Sequence, residues 1–514
     1  IHRAAIAIGA NIGDKYHNIE YALRLLEAAS KLALDLENDA PIVDVVDTSF
    51  LYESAPMYVT DQPSFINCAC MVQTNLGPGA LLRLLKKIEE IVGRVPSVRN
   101  GPRAIDLDVV FYDDDTIDTR PPVKRSFLDN LQGHLVVPHP RLHERAFVLR
   151  PLADMIPDYV HPAYCKSISR LKYGVEQVPE ALTSWTYTAA SPGSDAQLMA
   201  TLNVTPDSFS DGAEHNQLED ALAYVRESVA AGANIVDVGG YSTRPGAAFV
   251  STEEEIRRVV PVVEAIRGGK AVEGINAAAQ PTSIPISVDT FRPEVAEAII
   301  KAGANCINDV YAFMGADAYP FTDEERKAKS DAVLASMKAV ARRYAVPVVL
   351  MHSRGDAGQN KDYGAYAYAG NGAEVIEGVR AELGDIVERV VRGKGGIRRW
   401  LVIVDPGVGF SKTVEGNLAL LRDGAQIVAD VLIADRRRRN PLAGYPVLVG
   451  TSRKSFLGTI LQDGVNARKT EGRERDWATA AAVTSAVQQG SLIIRAHDVK
   501  AMADVMSVAK ALCR

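Results

Sequence analysis

The chain has 514 residues, 47% hydrophobic and 24% charged, with a formal net charge of −7. It is too long for one ordinary domain and too apolar to be largely disordered, and its acid excess gives no electrostatic reason to expect nucleic acid as a partner. No uninterrupted apolar run is long enough to span a bilayer, and five scattered cysteines argue for a reducing intracellular compartment, cytoplasmic or mitochondrial.

Arg3 to Gly9 reads as a buried strand, Asn11 to Asp14 as a turn, and about Asn18 to Leu36 as a helix with Leu23 and Leu26 on one face. Val43–Tyr52 and Phe65–Thr74 alternate as strands do. Cys68 and Cys70, with no second Cys or His pair, suit buried packing rather than zinc. Pro78 to Val92 is a helix, opened by proline and closed by Gly93. Ala104–Tyr112 is a strand, and a helical stretch follows Pro140. The order β-α-β-β-α-β predicts a ferredoxin-like α+β domain over residues 1–165, with helices on one face of a mostly antiparallel sheet. Periodicity then fades, and residues 166–194, ending in Ser191-Pro192-Gly193-Ser194, are expected to be linker.

Over residues 195–514 short apolar runs end repeatedly in polar clusters. Leu198–Leu202 leads to Asn203, Ile235–Val238 to Gly239-Gly240-Tyr241, Ile284–Val288 to Asp289, and Cys306-Ile307 to Asn308-Asp309. Val348–Met351 ends at His352, Leu401–Val404 at Asp405, Val447–Val449 at Gly450 to Lys454, and Leu492–Ile494 at Arg495-Ala496-His497. Eight such strands separated by helix-length segments predict an α/β domain of the TIM (β/α)8-barrel type, whose polar strand ends converge on one mouth. Gly355–Gly372 and Gly268–Pro281 look like inserted loops, and Arg436–Arg439 like a solvated surface loop.

In the front domain the sharpest local signal is Asp106-Leu107-Asp108. Residues two apart in a strand share a face, so both carboxylates project together and invite a cation such as magnesium, bridging to substrate phosphates. Arg94, Arg99 and Arg103 lie just upstream and His139 and Arg145 downstream, with no G-x-x-x-x-G-K-[ST] loop anywhere. Ala7 to Asp14, Asp61-Gln62-Pro63 to Asn67, Gly101-Pro102-Arg103 with Asp106-Leu107-Asp108, and Pro138-His139-Pro140 with Arg145-Ala146-Phe147 resemble hydroxymethyldihydropterin pyrophosphokinase. The resemblance, over residues 3 to 160, implies transfer of pyrophosphate from ATP to a hydroxymethyldihydropterin. Asp106 and Asp108 would hold two magnesium ions, and Arg94 and Arg103 the transferring phosphates. Asn67 would read the pterin edge between Phe65 and Phe147, with Glu89, His139 and Arg145 also at the ATP. The Arg94–Arg103 segment is a residue shorter than the family's, with Pro96 for a basic residue and Asn100 for tryptophan.

The barrel's polar residues divide chemically into two ends. Asp289, Asn308 and Asp405 can pair with a nitrogen-rich heterocycle, whereas Asn203, Arg244, Arg495 and His497 suit an anion, the Asn amide oxygen being available to magnesium; Lys454 lies between. Leu202-Asn203-Val204-Thr205-Pro206-Asp207-Ser208-Phe209, Gly240 with Ser242-Thr243-Arg244-Pro245-Gly246, Asp405-Pro406-Gly407 with Gly409-Phe410, Ser452-Arg453-Lys454-Ser455 and Arg495-Ala496-His497-Asp498 resemble dihydropteroate synthase, in order and each at its strand. The resemblance implies one magnesium ion on Asn203 with the pterin pyrophosphate, and a leaving group held by Arg495 and His497. It places the pterin on Asp289, Asn308, Asp405 and Lys454, with Thr243 lining the diphosphate substrate site. Phe209, Arg244-Pro245, Phe410 and Ser455 would form a p-aminobenzoate pocket open to sulfonamides. Tyr241 stands where the family usually has an acid, and no role is assigned to it.

Together the halves imply a bifunctional transferase of folate biosynthesis, expected to be a homodimer through the barrel. Such fusions occur in fungi and other eukaryotes, sometimes behind a dihydroneopterin aldolase, which is expected to be absent here. Two alternatives are a pterin-dependent methyltransferase barrel, or one half acting as a non-catalytic pterin scaffold.

Overall fold

The computed structural model describes residues 1–32, 41–95, 98, 100–126, 131, 133–175, 183–184, 196–204, 214–241, 249–268, 283–316, 319, 323–370, 372–433, 438–464 and 467–512. The chain divides into two units, Ile1–Ser194 with Val391–Trp400, and Asp195–Val390 with Leu401–Arg514.

The first unit is built on an antiparallel sheet. Strand β1 (His2–Ala10) lies between β4 (Phe65–Thr74) and β5 (Asp106–Tyr112), and β4 also pairs with β2 (Val43–Thr48) and β3 (Tyr52–Ser54). Two helices, α1 (Lys15–Glu27) and α2 (Pro78–Val92), pack together and on these strands. Helix α2 has the predicted bounds because Pro78 fits a first turn and Gly93, at φ 107°, takes the left-handed position that closes it. The helix α3 (Ala146–Met155) and the short α4 (Ile168–Val175) form a second core cluster with Ala5, Ala69, Met71 and Phe111. The alternate residues Ile6, Ile8, Cys68 and Cys70 are equally buried and point the other way. Both sheet faces are therefore covered by helices, which corrects the one-sided layer expected from the sequence. The expected linker opens instead with Lys166–Ser167, a strand paired with Val160–His161, and α4, whose Ile168 and Leu171 are buried.

Val391–Trp400 joins this unit through buried ion pairs. Arg398 Nε donates to Glu20 at 3.0 Å and Nη1 to Glu27 at 2.9 Å, while Arg399 Nη2 donates to Asp47 at 2.8 Å and its Nε to the Thr48 carbonyl at 2.8 Å. Arg398 is 3% exposed, so each carboxylate it meets offsets a cation already removed from water.

In the second unit eight parallel strands run in the order Val402–Asp405, Val348–Met351, Cys306–Asp309, Ile286–Asp289, Ile235–Gly239, Gln197–Asn203, Ile493–Ala496, Leu448–Gly450. A parallel bridge between Val404 and Val447 brings the two ends together, so the predicted barrel is nearly closed. Helices of 9 to 21 residues alternate with the strands, as right-handed crossovers between parallel strands require. All eight predicted strands are present within a few residues of their expected limits. The basic run differs from its expectation: Arg438 pairs with Asp385 and Glu388, and Arg439 with Asp430.

Candidate active sites

In the first unit, three neighbouring strands put their polar residues on one face. Gly9 stands opposite both Asn67 on β4 and Asp106 on β5, and Ala7 opposite Asp108. Leu107, pointing the other way, is fully buried, and Ile105 and Val109 are buried with it. A Cβ built on Gly9 would stand 3.2 Å from Asn67 Oδ1 and 3.9 Å from the Phe65 ring. Glycine thus leaves a floor between the Phe65–Asn67 edge and the carboxylates. That role escaped the sequence reading, which placed Gly9 only within a motif. Asn67 Nδ2 donates to Ser54 Oγ at 2.8 Å, holding the amide plane.

Cations surround the acids. Arg94 Nη1 donates to Asp106 Oδ1 at 2.7 Å and Arg103 Nη1 to Asp106 Oδ2 at 2.9 Å, while Arg103 also lies over the Phe65 ring at 5.5 Å. Burial alone would raise the Asp108 carboxyl, but Lys86, His139, Arg145 and Arg103 outweigh it and hold the pKa below the ordinary value. Burial pulls His139 down, favouring a neutral imidazole, whose Nδ1 accepts from the Arg141 N–H at 3.2 Å. Glu89, 3% exposed, is turned inward: it accepts from the Leu107 N–H at 2.8 Å and pairs with Lys86 and Arg94. It therefore fixes α2 to β5 and aims Arg94. Arg145 opens α3 and lies 5.7 Å from the Phe147 ring.

A cavity of about 610 Å³ opens beside this cluster, lined by Lys86, Glu89, Arg94, Val98, Asn100 and Arg103 among others. Its cations and size suit a polyphosphate. Arg99 and Pro96 lie outside the described residues. Asn100 takes a positive φ of 58°, a conformation an asparagine adopts more readily than a tryptophan, and its carbonyl accepts from Gln62 Nε2 at 2.9 Å. Among the described residues no three His, Cys, Asp or Glu side chains stand together as an all-protein metal cage. The Asp106–Asp108 pair still fits magnesium, which is commonly held by one or two carboxylates with substrate phosphates completing its shell.

In the barrel, Asn203, Gly239, Asp289 and Asn308 form one register row across four adjacent strand ends. A Cβ on Gly239 would stand 3.7 Å from both Asn203 Oδ1 and Asp289 Cβ, so a glycine keeps that row open. Met351 pairs with Asp405 in the next strands, and Gly450 with Arg495. Lys454 Nζ lies 4.3 Å from the Phe410 ring centre, a cation–π contact. Ser455 begins a helix and is exposed. His497 Nδ1 is 3.0 Å from Ser452 Oγ.

The two chemical ends expected from the sequence are joined. Arg495 Nε donates to Asp237 Oδ2 at 2.7 Å and its Nη2 to Asp289 Oδ2 at 3.2 Å; Asn308 Nδ2 also donates to Asp237, at 3.2 Å. Asp237 is fully buried and was missed, although an acid inside the apolar run Ile235–Val238 was the available signal. Burial and the neighbouring Asp237 and Glu255 raise the Asp289 pKa against the pull of Arg495. Burial also pushes Asp405 up to about 6, opposed by the Gly407 N–H at 2.7 Å and by Lys454, Lys412 and Arg495. A buried row of acids with amides between them can accept hydrogen bonds from a heterocycle's N–H groups. Phe209, Thr243, Arg244 and Pro245 lie outside the described residues. Tyr241 packs edge-on against Phe291 and under Arg292.

Comparison with known proteins agrees with both halves. The family model of 7,8-dihydro-6-hydroxymethylpterin-pyrophosphokinase (HPPK) matches residues 5–157, and that of pterin binding enzymes matches residues 199–497. The chain is 36% identical to the folic acid synthesis protein fol1 of Schizosaccharomyces pombe over 99% of its own length, but spans 59% of that protein. It is 35% identical to the mitochondrial folate synthesis bifunctional protein of Arabidopsis thaliana, covering 100% of this chain and 83% of the relative. The Plasmodium falciparum HPPK-DHPS structure, solved with pteroate, shares the fold, with a TM-score of 0.71 at 18% identity, covering 99% of this chain and 97% of that one. This chain belongs to the bifunctional folate-synthesis family, in which a pterin pyrophosphokinase domain and a pterin-binding barrel share one polypeptide.

Proposed function

We propose that the front domain, residues 1–165, transfers pyrophosphate from ATP to 6-hydroxymethyl-7,8-dihydropterin, and that the barrel, residues 195–514, condenses the product with p-aminobenzoate to give 7,8-dihydropteroate and pyrophosphate. The observation that carries this reading is the pair of polar constellations, Gly9–Asn67–Asp106–Asp108 and Asn203–Asp289–Asn308–Asp405–Arg495, each inside the matching family region.

In the first step the hydroxymethyl oxygen attacks the β-phosphorus of ATP and loses its proton, and AMP leaves with the oxygen that bridged its phosphate to the β-phosphorus. Asn67 reads the pterin edge between Phe65 and Phe147. Arg94 and Arg103 move from Asp106 onto the phosphates, Arg145 and neutral His139 face the ATP, and Glu89 positions Arg94. Asp106 and Asp108 would hold two magnesium ions, which when bound would neutralise the phosphate charge. In the second step the pterin's carbon–oxygen bond to pyrophosphate breaks, a carbon–nitrogen bond forms to the amine, and the amine loses a proton. Asp289, Asn308 and Asp405 hold the ring, and Lys454, Arg495 and His497 stabilise the departing charge. Asn203 would hold one further magnesium ion; Thr243 is read as part of the diphosphate site and Arg244 as part of the p-aminobenzoate pocket, both outside the described residues. Phe410 and Ser455 border the p-aminobenzoate pocket, where sulfonamides would bind. The protein's work is electrostatic stabilisation of the leaving group and placement of a neutral amine.

A homodimer through the barrel is part of the same reading. So is a reducing compartment, cytoplasmic or mitochondrial, supported by the buried free thiols Cys68, Cys70 and Cys306. No described helix is long and apolar enough to cross a membrane. The test is one coupled assay with the hydroxymethyldihydropterin, ATP, magnesium and p-aminobenzoate, followed by detection of dihydropteroate. Formation of the product is expected; binding of the pterin without turnover of ATP would overturn the proposal.

A further inference from the structure

Behind the Asp405 strand end lies a buried chain of charged groups that the reaction above does not use. Lys412, 4% exposed, points its ammonium into the turn Asp405–Lys412, donating to the Phe410 carbonyl at 2.9 Å and lying 3.0 Å from His352 Nδ1. His352, 1% exposed, meets Glu382 Oε2 through Nε2 at 2.9 Å. Glu382 accepts in turn from Arg354 Nε at 2.9 Å and from the Tyr366 hydroxyl at 3.1 Å. Burial pulls Lys412 down to about 7 against the pull of Asp405 and Glu382; in its protonated form it can only donate, so His352 Nδ1 accepts from Lys412 and Nε2–H donates to the carboxylate. The same turn is closed from the backbone, because the His352 N–H donates to the Asp405 carbonyl at 2.8 Å. A Cβ on Gly407 would fall 3.2 Å from Lys412 Nζ and far inside the His352 carbonyl, so the turn has one tight shape filled by that ammonium.

We propose that Lys412, His352 and Glu382 are positioning residues of the barrel reaction. Together they hold the Asp405–Lys412 turn in the shape that presents the Asp405 carboxylate to the pterin and the Phe410 ring to the p-aminobenzoate pocket. This rests on the reading of Asp405 as a pterin-binding group. Lys412 also places a cation near Asp405, beside Lys454 and Arg495, and so favours its ionised form; Lys412 itself faces Asp405, Glu382, Arg354, Lys454 and His352. Removing that cation should therefore raise the pH at which Asp405 ionises.

The test uses the full chain with purified pterin diphosphate and p-aminobenzoate, measured across pH. Lys412→Met is expected to raise the KM for the pterin diphosphate about tenfold with kcat changed less than about twofold. It should also move the acid limb of kcat/KM to higher pH. His352→Gln, which keeps a donor and an acceptor, should stay within about twofold of the parent, whereas His352→Leu should behave like Lys412→Met. If Lys412→Met gives no cooperative melt, Glu382→Gln carries the test: it removes the charge that favours the ammonium, and the acid limb should move in the same direction. An unshifted limb together with an unchanged KM, or kcat and KM falling with the melting temperature alone, would overturn the proposal. Asp405→Asn separates the two ideas: if it leaves pterin binding intact, the reading of Asp405 is what fails.

Discussion

Replacing Arg495 by methionine keeps most of the side chain's volume but removes a charge bonded to both Asp237 and Asp289, at 2.7 and 3.2 Å. Both carboxylates stay where they are, Asp237 fully buried. Removing one partner of a buried pair costs about 3–5 kcal/mol, and a large domain loses roughly 2–4 °C of melting temperature per kcal/mol, so the barrel transition should fall by on the order of 10 °C. The variant should also bind a phosphate-free pterin about tenfold more weakly. With the cation gone, one of the two neighbouring acids keeps its proton and can no longer accept from the heterocycle. If Arg495 instead served only the anion, as its chemistry alone suggests, such a pterin would bind normally. A double-mutant cycle in calorimetry checks the cause: adding Asp237→Asn should recover stability through a coupling of about 1–3 kcal/mol. Coupling near zero, with unchanged affinity for the phosphate-free pterin, would refute the link between Arg495 and the acids.

Asp106→Asn or Asp108→Asn should abolish the ATP-dependent step while leaving the barrel active on supplied pterin diphosphate, which paired assays of the two half-reactions would show. Gly9→Ala places a methyl 3.2 Å from Asn67 Oδ1 and should raise the KM for the hydroxymethyldihydropterin several-fold with little change in melting temperature. Asp405, pushed up to about 6 by burial, keeps its proton in the folded state over a range where the unfolded chain has lost it, so it costs stability as pH rises from about 4 to about 6. Asp405→Asn should accordingly stabilise the barrel at pH 8, by about 2–3 kcal/mol relative to its effect at pH 4, in thermal melts. Sulfonamides should compete with p-aminobenzoate, and substitutions at Phe410 or Ser455 should weaken them more than the substrate; purely noncompetitive inhibition would refute the pocket.

What could be read from the sequence follows from which physical signals are local. Phe65–Thr74 and Pro78–Val92 were legible to the residue, because alternation, a first-turn proline and a closing glycine are all carried by neighbours in the chain. The barrel was legible because eight buried strands make eight apolar runs, and the shared face of Asp106 and Asp108 follows from the pleat alone. The covering of both sheet faces was not legible, since the sidedness of α3 depends on a connection whose path has no periodic signature. Short α4 has eight residues, little more than two turns, too few for its period to stand out. Asp237, Glu382 and Lys412 look like ordinary surface charges until folding brings an Arg or a His from a distant strand beside them. The ion pairs of Arg398 with Glu20 and Glu27 span 378 and 371 positions, a separation at which no local pattern reports a partner.

That last feature bears on the order in which the molecule can be completed during synthesis. The front sheet and its helices are translated by residue 194, yet Glu20, Glu27 and Asp47 meet Arg398 and Arg399 only after residues 398 and 399 have emerged. At about 5–20 residues per second, the intervening 200 or so positions take roughly 10–40 s. Throughout that interval the nascent front unit has three acids without the cations that later cover them. A gene fragment ending at residue 194 would hold it in that state permanently. The front unit therefore completes these buried ion pairs only when more than half of the barrel has been made.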